Sequence, residues 1–176
     1  GLAGPLPGYG KAAVRRERVN RIWRHPSYQA CLAEIRRCEA GRKFCRHTPE
    51  HFLTVARVTC LLAAEQGLPV NQEQVYAAGL LHDIGRHLQY QQNIPHEQAG
   101  AEIAEGILID CGFDRQERSD ILRLILCHRS KPAAAEKNTL PALFYRADKL
   151  SRNCFFCPAQ DECDWPEEKK NREITY

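Results

Sequence analysis

Apolar positions recur at helical spacing along most of the chain. Phe52, Val55, Val58 and Leu62 form one stripe, from His51 to about Gln66. It follows Thr48-Pro49-Glu50, a helix start in which Thr48 caps and Pro49 takes the first position, where its missing N–H costs nothing. Gly67-Leu68-Pro69 ends that helix, and Asn71-x-x-Gln74 opens the next like a capping box, with a body from Val75 to Ile84. Pro95 opens a helix carrying Ala99, Ile103 and Ile107 and closed by Gly112. Asp114-x-x-Glu117 caps another ahead of Ile121, Leu124 and Ile125, and Thr139-Leu140-Pro141 starts one through Leu150. Upstream, residues 11–24 read as an exposed charged helix stopped before Pro26, and Ser27 to Ala40 as a second helix with Gly41 as its C′ residue. Residues 85–94 and 129–138 read as polar loops. No segment alternates with period two, so the pattern predicts an all-α fold.

One interruption of the apolar pattern stands out. The helix running through Leu80-Leu81 delivers an adjacent His82-Asp83 pair and then Ile84-Gly85. An ionised Asp on a buried face is costly unless it is paired or bound to a metal. Each long helix after residue 47 carries a similar residue near one end or on its apolar side: His51, His82-Asp83, His96, His128 and Asp148. A lone histidine on an apolar face is usually a hydrogen-bonded core residue. Five helices each contributing one group make a different pattern: four imidazoles and two carboxylates suit Fe, Mn, Co, Ni or Zn.

These stretches resemble the HD-domain metal-dependent phosphohydrolase superfamily. The matching runs are His51-Phe-Leu-Thr-Val-Ala-Arg-Val, Gly79-Leu-Leu-His-Asp-Ile-Gly-Arg, Ile94-Pro-His-Glu-Gln-Ala-Gly, Leu126-Cys-His-Arg and Arg146-Ala-Asp-Lys-Leu, within about residues 44–152. Their order and spacing look most like the di-iron branch that hydrolyses diadenosine tetraphosphate symmetrically. The resemblance implies an HD-type helical bundle with metal between its helices. His51, His82, Asp83 and Asp148 match the one-metal set, and His96 and His128 match the further histidines of dinuclear members. It further implies two divalent ions, iron first among them, with His82 a terminal ligand and Asp83 a bridge, together activating water against a nucleotide, a dinucleoside polyphosphate or a similar phosphoester. Arg86, Arg129 and Lys149 adjoin these positions and are candidates for phosphate contacts; His47, four residues before His51, is a candidate substrate-facing or supporting residue. Related six-ligand sites also serve mixed-valent di-iron oxygenases, and the ligand residues do not separate the two chemistries.

Composition adds three points. Hydrophobic content of 43% and charged content of 27% are ordinary for a globular chain, and no apolar run is long enough to span a membrane. The first residue is Gly, which suggests a removed initiator Met or tag. The Gly- and Pro-rich stretch Gly1–Gly10 lacks the charged region of a signal peptide, and nine cysteines without such a signal point to a reducing, cytoplasmic setting. Residues 11–46 hold eleven Lys and Arg against three Glu, so the +3 net charge is unevenly spread; a basic face of this kind solvates a helix or attracts nucleic acid.

The tail changes character at Asn153. Cys154-x-x-Cys157-x5-Cys163 has ligand spacing for zinc or an iron–sulfur cluster, with Cys45 a candidate fourth ligand; free thiols packed on Phe155, Phe156 and Trp165 are the alternative. Three segments result: a basic helical extension (1–43), an HD-type metal-binding domain (44–152), and a short irregular Cys-rich tail (153–176).

Overall fold

The computed structural model describes residues 15–176. Its eight helices are α1 (Glu17–Arg24), α2 (Pro26–Cys38), α3 (Pro49–Glu65), α4 (Gln72–Leu81), α5 (Arg86–Gln92), α6 (His96–Asp110), α7 (Arg115–Cys127) and α8 (Leu140–Leu150). No strand occurs among the described residues, so the all-α expectation holds. The N-terminal stretch Gly1–Gly10 and the start of the helix expected from residue 11 lie outside the described residues.

The capping signals do the work that their chemistry predicts. Thr48 accepts the His51 N–H, Asn71 accepts the Gln74 N–H, and Asp114 and Glu117 complete a reciprocal capping box. Gly67 and Gly112 take left-handed φ values of +63° and +85° after α3 and α6, which an L side chain resists.

Helix α4 is buried almost throughout, from Val75 through Leu81. It packs against α3 at Gly79, where a Cβ would meet the Phe52 carbonyl oxygen at 2.8 Å and the Ala56 Cβ at 2.9 Å. A single core runs from Val19 and Ile22 through Phe52, Leu62 and Leu81 to Ile125 and Phe144.

Three details differ from the sequence reading. Residues 86–92, expected as loop, form α5. The polar run Gln89–Asn93 carries no apolar stripe, but His87 is buried and Tyr90 donates to Glu39 of the loop after α2 at 2.7 Å, so tertiary partners fold it. Helix α2 ends at Cys38 with Glu39 as its cap, and Gly41 is not left-handed. Helix α1, expected to be exposed, buries Val19 and Ile22 in the common core, and α2 adds Tyr28, Leu32 and Ile35.

Several N-terminal cations are also spoken for. Arg18 binds Glu73 at 2.8 Å and Glu117 at 2.7 Å, tying α1 to the starts of α4 and α7. Arg24 pairs with Glu17 and Arg37 with Glu34. No helix of the described residues is long and apolar enough to cross a membrane.

Candidate metal centre

The polar residues singled out by the sequence all stand at helix ends. His51 lies in the first turn of α3 and His82 caps the C-terminus of α4. Asp83 follows in the turn before α5; His96 is the first residue of α6; His128 caps α7; Asp148 lies in the last turn of α8. Helix ends leave backbone groups to be satisfied locally, and this orients the rings. His82 Nδ1 donates to the Gly79 carbonyl at 2.8 Å and His128 Nδ1 to the Ile125 carbonyl at 2.6 Å, while His96 Nδ1 pairs with Gln89 of α5. With Nδ1 donating outward, each Nε2 faces the centre and presents a lone pair once it carries no proton, which at His82 a bound cation would have to displace.

Those lone pairs converge on Asp83, which is only 1% exposed. Its Oδ2 faces His82 Nε2 at 3.1 Å and His51 Nε2 at 3.8 Å; its Oδ1 faces His96 Nε2 at 3.1 Å and His128 Nε2 at 3.6 Å. Asp148 Oδ1 joins the first set, 3.2 Å from His51 and 3.6 Å from His82. Each set brings its ligand atoms within 4.8 Å of one another, and Asp83 belongs to both.

The centre fits metal ions on its own geometry. His51 Nε2 and His82 Nε2 are buried and have no hydrogen-bond partner, although carboxylate oxygens lie close by. Orphaned buried nitrogens cost about 1–3 kcal/mol each. His96 Nε2 and His128 Nε2 face each other at 3.0 Å, where two lone pairs meet unless a cation or proton lies between. Nitrogen and carboxylate donors with no thiolate suit borderline divalent ions.

Burial and partners set the protonation states. Burial pushes His51 down to about 4 against the pull of Asp148, and pushes His96 down to about 4 against Asp83. Burial also opposes charge on His82, but Asp83 and then Asp148 outweigh it and hold that ring up at about 9. Asp83 and Asp148 stay well below the usual carboxylate range because neighbouring imidazoles overcome their desolvation.

A pH dependence follows for the metal-free protein. Below an unfolded histidine value of about 6.5, the unfolded chain takes up protons at positions 51 and 96 that the folded chain refuses until about pH 4. Stability therefore falls as pH drops through that window. His82, held up at about 9, opposes the decline near pH 7 and is protonated in both states below about pH 5.5, and the two folded aspartates remain ionised. Urea midpoints measured in chelator from pH 6 to pH 4.5 should decline, and His51→Gln should flatten the decline; a flat profile for the parent protein contradicts it.

A cleft of about 380 Å³ opens onto Asp83 and Asp148. All four candidate substrate-side residues, His47, Arg86, Arg129 and Lys149, line it. Arg86 Nε also reaches Asp83 Oδ1 at 3.2 Å, and Lys149 pairs with Asp148.

Sequence reasoning missed several neighbours. Glu39 is buried, pairs with His47 Nδ1 and accepts the His47 backbone N–H at 2.8 Å; hydrogen bonds from His47 and Tyr90 overcome its desolvation and hold it down at about 2. Gln89 was hidden by the loop reading. Arg42, Tyr145, Arg152, Trp165 and Lys169 reach the cleft from elements distant in sequence, which no local motif signals. Cys45, Cys154, Cys157 and Cys163 lie beside it, around an adjoining cavity.

Comparison with known proteins agrees with this geometry. A family model described as HD domain matches residues 48–153. A Clostridium beijerinckii protein described as uncharacterised is 41% identical over 160 residues, covering 91% of this chain and 99% of its own length. Ribonuclease Y of Nitratidesulfovibrio vulgaris is 29% identical over 127 residues, 72% of this chain; the match covers 22% of that much longer relative. The crystal structure of a predicted HD superfamily hydrolase from an uncultured Thermotogales bacterium shares the fold, with a TM-score of 0.56 over 86% of each chain at 20% identity.

Proposed function

Because the chain belongs to the HD-domain superfamily of metal-dependent phosphohydrolases, we propose that it hydrolyses a nucleotide, a dinucleoside polyphosphate or a similar phosphoester at a two-metal centre. The observation that carries the reading is Asp83, whose two oxygens face different histidine sets. His51, His82 and Asp148 would hold one ion, His96 and His128 the other, and Asp83 would bridge them. Imidazole and carboxylate donors accept several divalent metals; we take iron as the working assignment from the motif layout. When bound, such a pair supplies Lewis acidity and a water acidic enough to act as nucleophile at neutral pH.

The chain's own residues supply the rest. Arg42, Arg86, Arg129, Lys149, Arg152 and Lys169 ring the cleft, a concentration of positive charge that suits a phosphate chain. Burial keeps His51 and His96 neutral and ready to ligate at pH 7. Glu39 holds the His47 ring toward the centre, with His47 Nε2 3.9 Å from Asp83 Oδ2, where it can orient a substrate oxygen or water. The cleft volume matches a small-molecule site. The ribonuclease Y relatives favour a second substrate class, the phosphodiester of RNA.

The test is metal analysis of purified protein with the hydrolysis products (phosphate, nucleotides, shortened RNA) measured over nucleotides, dinucleoside polyphosphates and a short RNA. Two ions per chain and product formation without oxygen uptake support the reading; oxygen-dependent loss of substrate without hydrolysis products points instead to the oxygenase chemistry. Arg129→Ala should raise KM about tenfold, the worth of one charge-assisted hydrogen bond of about 1.5 kcal/mol, with unchanged metal content. An unaltered KM removes Arg129 from substrate binding.

A further inference from the structure

Four thiols stand together outside the histidine–aspartate centre. Cys45, before α3, and Cys154, Cys157 and Cys163, after α8, line one cavity of about 330 Å³ with Arg46, Arg152 and Trp165. They are close enough that ionising any of the last three would oppose ionisation of Cys45, which burial already pushes up. All four are free cysteines. The HD domain match covers residues 48–153, so all four lie outside it.

We infer that Cys45, Cys154, Cys157 and Cys163 hold an iron–sulfur cluster that fastens the tail to the helical domain. The hydrolase reading is not needed for it.

The local backbone suits ligation. Cys154 and Cys157 flank a 3₁₀ turn in which the Cys157 N–H donates to the Cys154 carbonyl at 3.2 Å, and a second turn brings the Cys163 N–H to the Gln160 carbonyl at 3.4 Å. Two tight turns thus bring three cysteines of a C-x2-C-x5-C run to the wall of the cavity that Cys45 also lines.

The tail also lacks another anchor of comparable reach. Of its hydrophobic side chains only Cys154 and Ala159 are buried, and Phe156 is 82% exposed. Its polar ties are few: the Asn171 side chain donates to the Lys149 and Arg152 carbonyls, Lys43 pairs with Glu162, and the Tyr176 hydroxyl donates to Glu65 of α3 at 2.9 Å. Segments too small for a core commonly rely on disulfides or metals.

Spacing separates a cluster from a single zinc ion. One tetrahedral ion with bonds of about 2.3 Å holds its sulfurs about 3.8 Å apart. Among the described residues, only the two histidine–aspartate sets bring three or more ligand atoms all within 4.8 Å of one another, so no three of these four sulfurs are gathered as tightly as one zinc ion would hold them. A cluster interposes several irons and sulfides and needs the wider frame. Four thiolates leave it net negative, and Arg46 and Arg152 border it. Assembly takes up two ferrous and two ferric ions with four inorganic sulfides, so that no electron has to be removed; each cysteine releases its proton to solvent as its sulfur bonds to iron.

The experiment is anaerobic reconstitution of the full chain with ferrous and ferric iron and sulfide, followed by acid-labile sulfide, iron and zinc analysis and visible absorption. Sulfide is diagnostic because the histidine–aspartate centre supplies none. About four sulfides per chain and a dithionite-bleachable visible band are expected in the parent protein. Both should persist in His82→Ala and Cys60→Ser and be lost from Cys45→Ser and Cys157→Ser, with helical circular dichroism retained. One zinc per chain without sulfide overturns the cluster. So does absence of sulfide from the reconstituted parent, or a full complement in Cys45→Ser and Cys157→Ser.

Discussion

Replacing Asp83 with alanine should abolish metal binding at both halves of the centre and lower hydrolysis on the order of a thousandfold or more, with helical content unchanged. The expectation rests on one carboxylate lying 3.1 Å from His82 through one oxygen and 3.1 Å from His96 through the other. The other candidate ligands belong to one set each: His51, His82 and Asp148 to the first, His96 and His128 to the second. His128→Ala should therefore leave one ion in place where Asp83→Ala leaves none. Helices should survive because Asp83 sits in a turn and its desolvation already opposes its charge. Metal stoichiometry, circular dichroism and phosphate release on the two variants check the ranking. Full turnover by metal-free Asp83→Ala protein would reject the centre altogether.

Gly85→Ala should be the most damaging single-methyl change in the domain. A Cβ there would stand 2.4 Å from the His96 carbonyl oxygen and 2.5 Å from the Gly100 backbone nitrogen. Neither neighbour is a flexible side chain, so α6 must move away from the turn that carries His82 and Asp83. We expect a loss of about 3 kcal/mol, the upper part of the usual overpacking range. Urea denaturation should show it. The displacement should also part His96 from Asp83, so metal at the second set should weaken before metal at the first. Gly106→Ala, inside α6 where a Cβ meets nothing within 4 Å, is the control: it should raise stability by up to about 1 kcal/mol and leave both ions bound. A stable Gly85→Ala protein with both ions bound contradicts the close packing.

The chain discloses its helices and its centre unequally. Caps were readable because their chemistry is local: Thr48, Asn71 and Asp114 each bond a backbone N–H three residues on. The six centre residues were readable as polar intrusions on apolar stripes and through the HD-type motifs. Helix α5 was not, since Arg86-His-Leu-Gln-Tyr-Gln-Gln carries no periodic stripe and folds against partners such as Glu39, 51 residues before Tyr90. Glu39 was hidden for the same reason. In the sequence it is one more charge at the end of a charged helix; only the fold places it behind His47. The exposure expected of α1 failed because Val19 and Ile22 are too few to mark a stripe amid its charges, yet they reach the core.

The wall of the cleft has a consequence for how such an enzyme diversifies. Asp164, Trp165 and Lys169 face the space above Asp83, yet they lie beyond the residues that the family model matches. Part of the cleft wall thus lies in a separate stretch of the sequence from the candidate metal ligands, while Arg86, Arg129 and Lys149 on the same wall lie within the matched domain. After a duplication, drift confined to a handful of codons near the C-terminus can retarget one copy while the ligand set stays intact. Exchanging residues 164–169 between this protein and a relative is therefore the shortest route to new selectivity, with turnover chemistry left where it was.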